Sequence, residues 1–155
     1  MVLRLVLGGV YTAMAAGQLA SLTDMPAILG AYGLVHGAAA AVLAAALIAG
    51  ELTCGVWFLT RPRSRADAPV WIYTAVSVVW SVLAVQAYTR GLVVANCGCF
   101  GTHLAQRLSW FVLLQDALLL VYAAVLLRSA RTARTTAWAR EPGGERKTDR
   151  DVPVR

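Results

Sequence analysis

Polar and apolar residues separate into long blocks along this chain instead of alternating. Four runs are almost purely apolar: Leu5–Leu22, Gly33–Thr60, Val70–Tyr88 and Leu108–Leu127. Each is close to, or longer than, the about 20 apolar residues that a helix needs to cross the hydrocarbon core of a bilayer. The runs are continuous, with no period of two, so they predict helices and not the strands of a barrel. Gln18 is the strongest polar group of the first run; the second holds Glu51, the third no charge and the fourth Asp116. The predicted fold is all-α: a four-transmembrane-helix bundle over residues 1–128, with spans near 5–22, 35–60, 70–88 and 108–127. Met1–Ala20 also fits a secretory signal peptide, with Arg4, an apolar stretch and small residues around Ala13–Ala16. Retention is favoured, because three helices would leave one polar face poorly covered.

The connections are short and carry the charge. Thr23–Tyr32 reads as an extracytoplasmic loop or short interfacial helix, and Arg61-Pro62-Arg63-Ser64-Arg65 as a tight basic turn. From Arg128 onward the composition changes: eight of the 14 cations and four acids lie there, with a Gly-Gly pair and two prolines. Residues 129–155 therefore read as a basic, largely disordered tail. Arg128, Arg131 and Arg134 form a stop-transfer flank near anionic headgroups.

Composition agrees with a membrane protein. The chain is 59% hydrophobic and 14% charged, against about 45–50% and about 25% in soluble domains. That excess excludes a soluble core and general disorder. The net charge of +6 sits in clusters between apolar runs, where it acts as an orientation signal and not as a nucleic-acid surface. Arg4, Arg61, Arg63, Arg65, Arg128, Arg131 and Arg134 fall on one side, Arg90 and Arg107 on the other. Both termini, tail included, are thus expected in the cytoplasm of a multi-pass cell-membrane protein. The loop Thr89–Arg107 then faces the periplasm or cell exterior.

That loop contains Asn96-Cys97-Gly98-Cys99-Phe100-Gly101, followed by His103. Thiols outside the membrane meet an oxidising compartment in which disulfides persist. A disulfide across a single glycine closes a small, strained ring, and strained exposed disulfides are the exchange-active kind. Gly98 and Gly101 permit the positive φ of a tight turn. Arg90, Arg107, His103 and the start of the last helix are expected to favour thiolate. Cys97 is read as the partner-facing thiol and Cys99 as the resolving one. Two alternatives stay open: a structural disulfide, or a soft-metal site of Cys97, Cys99 and His103.

With this motif the chain resembles the MauE-type methylamine-utilisation membrane proteins, grouped with DoxX-like four-helix proteins. The resemblance rests on Cys97-Gly98-Cys99-Phe100-Gly101 before the run Trp110–Leu120, on Arg4 with Gly17-Gln18-Leu19, and on Glu51-Leu52 with Gly55. It spans roughly residues 4–127. Family members often carry Lys at the position of Gln18, Pro near His36, and Arg or Lys at Gln115. The resemblance implies work beside an extracytoplasmic thioredoxin-like partner, in disulfide formation or maturation of an exported enzyme. In methylamine utilisation that enzyme is the dehydrogenase, through its small subunit. By analogy of architecture with quinone-coupled disulfide-generating proteins, a membrane quinone is the candidate electron acceptor. A non-catalytic subunit that stabilises a partner complex is the alternative role.

A carboxylate at the bilayer centre costs at least about 2.5–3.5 kcal/mol on insertion scales, so Glu51 and Asp116 need a reason. Counted at 1.5 Å per residue from Arg61 and Arg107, they lie roughly 15 Å and about 13 Å from opposite edges, at nearly one depth. They are expected to meet in the bundle, with Gln18, Gln86 and Gln115 as partners, either as interhelical hydrogen bonds or as a proton path to the thiols. Cys54, one turn from Glu51, reads as a buried free cysteine. His36 is expected at the interface, Gly33 and Gly37 at a close helix contact, and Trp71, Trp80 and Trp110 as interfacial anchors.

Overall fold

The computed structural model describes residues 1–64 and 66–140, with side chains described through Ser129 and at Thr132. Five helices follow in order: α1 (Val2–Ala20), α2 (Met25–Gly30), α3 (Ala38–Thr60), α4 (Ala68–Thr89) and α5 (Trp110–Arg140). No strand occurs among the described residues. Val2–Ala20, Ala38–Thr60, Ala68–Thr89 and Trp110–Ser129 are long and apolar enough to cross a membrane. The four-span bundle expected from the apolar blocks is therefore present, with the short α2 in the stretch read as a loop or interfacial helix.

Glycine, proline and polar runs set the ends of these helices. The third helix starts at Ala38 and not at the expected 35, because Gly33 and Gly37 adopt positive φ of 72° and 57°. Those two glycines shape a turn, and Gly37 has nothing within 4 Å of a notional Cβ; they are not a helix contact. Pro69 enters α4 in its first turn, where its missing N–H costs nothing. The fifth helix runs to Arg140, beyond the expected end at Leu127. No glycine or proline interrupts Trp110–Arg140, and Ala and Arg after the apolar run are strong helix formers. The tail expected at 129–155 is thus helical through Arg140, and residues 141–155 lie outside the described residues, as does Arg65.

Helix α1 packs on α3, α3 on α4 and α4 on α5, with α2 against α3. Small residues allow the first of these contacts. A Cβ on Gly55 would stand 2.6 Å from Thr12 Oγ1 and 2.9 Å from the Thr12 nitrogen, so the backbones approach only because Gly55 has none. Buried tyrosines tie the other seams. Tyr11 and Ser77 share a 2.7 Å hydrogen bond between α1 and α4, and Tyr73 donates to the Leu119 carbonyl of α5 at 2.9 Å. Exposed Val42, Val56, Val82, Leu114, Leu118 and Val121 give the bundle an apolar exterior suited to lipid.

The two ends of the bundle differ. Arg4 donates to the Ser64 carbonyl and its guanidinium lies 5.7 Å from the Phe58 ring centroid. The N-terminus and the α3–α4 turn, which closes through Ser64 N–H to Arg61 O at 3.0 Å, therefore share one end. The loop of residues 90–109, with α2, caps the other.

Candidate functional site

The loop between α4 and α5 folds back into the bundle. Cys97 and Cys99 are buried, at 2% and 7% relative exposure. The exposed, solvent-facing pair anticipated from the sequence is replaced by one that is covered. Small residues make this insertion possible. A Cβ on Gly17 of α1 would lie 2.6 Å from the Phe100 carbonyl oxygen, and one on Gly101 would lie 1.9 Å from Ser21 Oγ. Gly98 sits against Ile28, Trp80 and Met25, where a Cβ would meet Ile28 at 2.8 Å. Gly98 and Gly101 hold φ of 82° and 64°, the left-handed turn geometry that glycine adopts without penalty.

Hydrogen bonds lock the loop in register. Cys97 N–H donates to Gln106 O at 2.8 Å and Leu108 N–H to Val94 O at 3.0 Å, so the chain enters and leaves side by side. Asn96 closes the turn: its Oδ1 accepts from Gly98 N–H at 3.0 Å and its Nδ2 donates to Gly101 O at 2.9 Å. Tyr32, in the turn just after α2, donates to the Cys97 carbonyl at 2.8 Å, and Gln86 donates to the Tyr32 carbonyl. Thr102 N–H donates to Ser21 Oγ at 3.1 Å.

The two sulfurs lie 3.4 Å apart as free thiols. The Cys99 thiol can donate to a Cys97 thiolate, and this hydrogen bond brings the Cys97 thiol down to about 7 against the opposing effects of burial and of Asp116. Cys99 moves the other way, well above the usual thiol range, through its hydrogen bond with Cys97 and through burial. One thiol is thereby ionised near neutrality while its neighbour keeps its proton. The expected cationic activation is not what does this. Arg90 binds Gln86 Oε1 at 3.2 Å and the Gly33 carbonyl, and Arg107 and His103 are exposed. Alkylation of reduced Cys97 by iodoacetamide should accordingly reach half its maximal rate near pH 7, with thiolate lost below that value. Cys99→Ala removes the donor and should move this midpoint upward; mass-resolved labelling between pH 5 and 9 measures both.

Beneath the loop lies the buried carboxyl anticipated from depth. Glu51 accepts from Gln18 Nε2 at 2.9 Å and from Trp80 Nε1 at 2.7 Å. The same Gln18 Nε2 donates to the Cys99 carbonyl at 3.1 Å. Trp80, expected as an interfacial anchor, is an interior residue; its position in the middle of the third apolar run was the available signal. Tyr32 was missed because nothing local marks a tyrosine as a loop clamp. Asp116 is buried and acts electrostatically on Cys97, Cys99 and Tyr32. It makes no bond to Glu51, and Gln115 stands half-buried outside the network. Cys54 donates to the Glu51 carbonyl oxygen within α3 at 3.4 Å, apart from the other two thiols. His36 is exposed.

Among the described residues no three of His, Cys, Asp and Glu come together as a metal-holding group. A groove of about 410 Å³ between α4 and α5 is lined by apolar side chains with Ser81, Gln86 and Thr89. Those three already donate inside the protein, to Ser77, Tyr32 and Gln86 carbonyls. The groove suits a hydrocarbon chain. The model of one protein family, described as methylamine utilisation protein MauE, matches residues 1–129. No curated protein and no solved structure matches the chain.

Proposed function

The chain belongs to the MauE family of methylamine-utilisation membrane proteins, and from that premise we propose that it is an integral membrane thiol–disulfide exchange protein working through Cys97 and Cys99. The juxtaposition of two thiols 3.4 Å apart, one acidified and one not, carries this reading. The loop faces the periplasm or cell exterior, in keeping with seven cations on the opposite side against two on its own. A thiolate of an extracytoplasmic thioredoxin-like partner attacks Cys97 Sγ of the Cys97–Cys99 disulfide. The bond between the two sulfurs breaks, Cys99 leaves with the electron pair, and a mixed disulfide links Cys97 to the partner. The partner's second thiolate then displaces Cys97, leaving an oxidised partner and a reduced pair. A two-electron acceptor restores the disulfide, and a membrane quinone is the class suggested by architecture.

Substitution of one thiol at a time tests the exchange. Cys99→Ser leaves Cys97 able to attack an oxidised partner and form a mixed disulfide that Cys99 can no longer open, so that only the partner's second thiolate releases it. Non-reducing gels of membranes from cells carrying Cys99→Ser should show a covalent adduct with a thioredoxin-like protein, absent in the Cys97→Ser/Cys99→Ser double variant. Full maturation of exported enzymes in that double variant would instead favour a non-catalytic subunit.

A further inference from the structure

Both side chains that hold the Glu51 carboxyl also touch the thiol loop. Gln18 Nε2 donates to Glu51 Oε2 at 2.9 Å and to the Cys99 carbonyl at 3.1 Å. Trp80 donates to Glu51 Oε1 at 2.7 Å while its ring edge stands 3.5 Å from a notional Cβ on Gly98. Gln18 Oε1 is fully buried and has no donor. Such an orphan acceptor costs about 1–3 kcal/mol, and a bridging water is the ordinary way to satisfy one. The carboxyl and the spare acceptor therefore lie against the backbone of Cys99, whose thiol is close enough to Glu51 to feel its charge.

We propose that Glu51 is the internal proton donor of the Cys97–Cys99 pair, delivering a proton past Gln18 to the sulfur of Cys99 as the disulfide opens. The proposal rests on the exchange reading above and deepens it. In the balanced step an incoming thiolate bonds to Cys97 Sγ, and the bond between the two sulfurs breaks. Cys99 Sγ takes the electron pair and one proton, and Glu51 is left as a carboxylate held by Trp80 and Gln18. The reverse step returns that proton when Cys99 closes the disulfide. Tyr11 of α1, Cys54 of α3 and Cys99 of the loop interact electrostatically with Glu51. Helix α4 contributes the Trp80 indole, and Asp116 of α5 acts on the two loop thiols, which makes it the rival donor.

The test uses the full chain, oxidised, in nanodiscs of phosphatidylcholine and phosphatidylglycerol, with dithiothreitol as the attacking thiol so that no partner is needed. The opening rate, divided by the thiolate concentration of dithiothreitol, is followed from pH 5 to 10 by trapping and mass analysis. The wild type should show a fast low-pH plateau and a fall where Glu51 loses its proton. Glu51→Gln, whose amide oxygen still accepts from Trp80, should lose the fall and open at least about tenfold more slowly on the plateau, since general-acid catalysis contributes typically 10²–10⁴-fold. Asp116→Asn should keep the fall. A flat wild-type profile overturns the proposal without recourse to any variant. So does a fall that survives Glu51→Gln and vanishes in Asp116→Asn, which assigns the proton to Asp116. If no disulfide between Cys97 and Cys99 forms at all, the exchange reading itself fails; if it opens with no pH break, only the proton assignment does.

Discussion

Gly101→Ala should lift the Cys-Gly-Cys loop out of its seat and make both thiols reactive. The added Cβ would stand 1.9 Å from Ser21 Oγ and 2.4 Å from the Gly17 carbonyl oxygen. The hydroxyl can rotate away, but the backbone of α1 cannot. The residue also sits at φ of 64°, where a side chain is strained in any case. Overpacking of this kind costs typically about 1–3 kcal/mol, and nearly all of it falls on the docked state, because a released loop can relax. The population of open loop should rise about 5- to 150-fold, the factor equivalent to about 1–3 kcal/mol. Labelling of Cys97 and Cys99 by a membrane-impermeant maleimide measures it directly. Gly9→Ala, which meets nothing within 4 Å, should label at the wild-type rate. Unchanged labelling in Gly101→Ala would mean that the seat is not tight.

Glu51→Leu should destabilise the protein far more than Glu51→Gln. Leucine leaves the Trp80 indole N–H without an acceptor inside the bundle and removes one of the two acceptors of Gln18 Nε2. An orphaned buried donor costs about 1–3 kcal/mol. The indole cannot escape to water, since Trp80 is only 3% exposed. Glutamine keeps an acceptor oxygen for the indole, and its amide nitrogen can donate to Gln18 Oε1, which has no partner in the wild type, once the Gln18 amide turns over. Thermal unfolding in detergent, followed by Trp fluorescence, should place Glu51→Leu well below wild type and Glu51→Gln close to it. Equal losses in both variants would show that the negative charge, and not the hydrogen bonds, holds the indole.

How far these features could be read from the chain differs from one to the next. The spans were plain, because a bilayer allows few ways to satisfy buried backbone groups and the apolar blocks follow directly. The pairing of Gln18 with Glu51 was also accessible, from rise per residue and the cost of an unpartnered acid at that depth. Burial of the thiols was not. A stretch rich in glycine and flanked by Arg90 and Arg107 has the composition of a surface loop, and its seat is created by Gly17, Ser21, Ile28 and Tyr32, far earlier in the chain, together with Trp80. The trace left in the sequence was Gly17 and Ser21, small residues four apart at the C-terminal end and cap of the first helix, the Ser21 hydroxyl bonding back to the Gly17 carbonyl. The acidity of Cys97 was expected for the wrong reason: cations were near in sequence, yet Arg90 turns to Gln86, and the effective partner is the second thiol. The overrun of α5 to Arg140 followed from the absence of any breaker, a signal masked by the switch from apolar to basic residues.

The walls of the thiol seat come from Gly17, Ser21, Ile28, Tyr32 and Trp80, all of which precede Cys97 in the chain. During synthesis the ribosome therefore delivers the receptacle before the sulfurs that occupy it. The receptacle for Cys97 and Cys99 thus exists before the loop reaches it, which shortens the interval in which stray oxidants or foreign thiols could capture them.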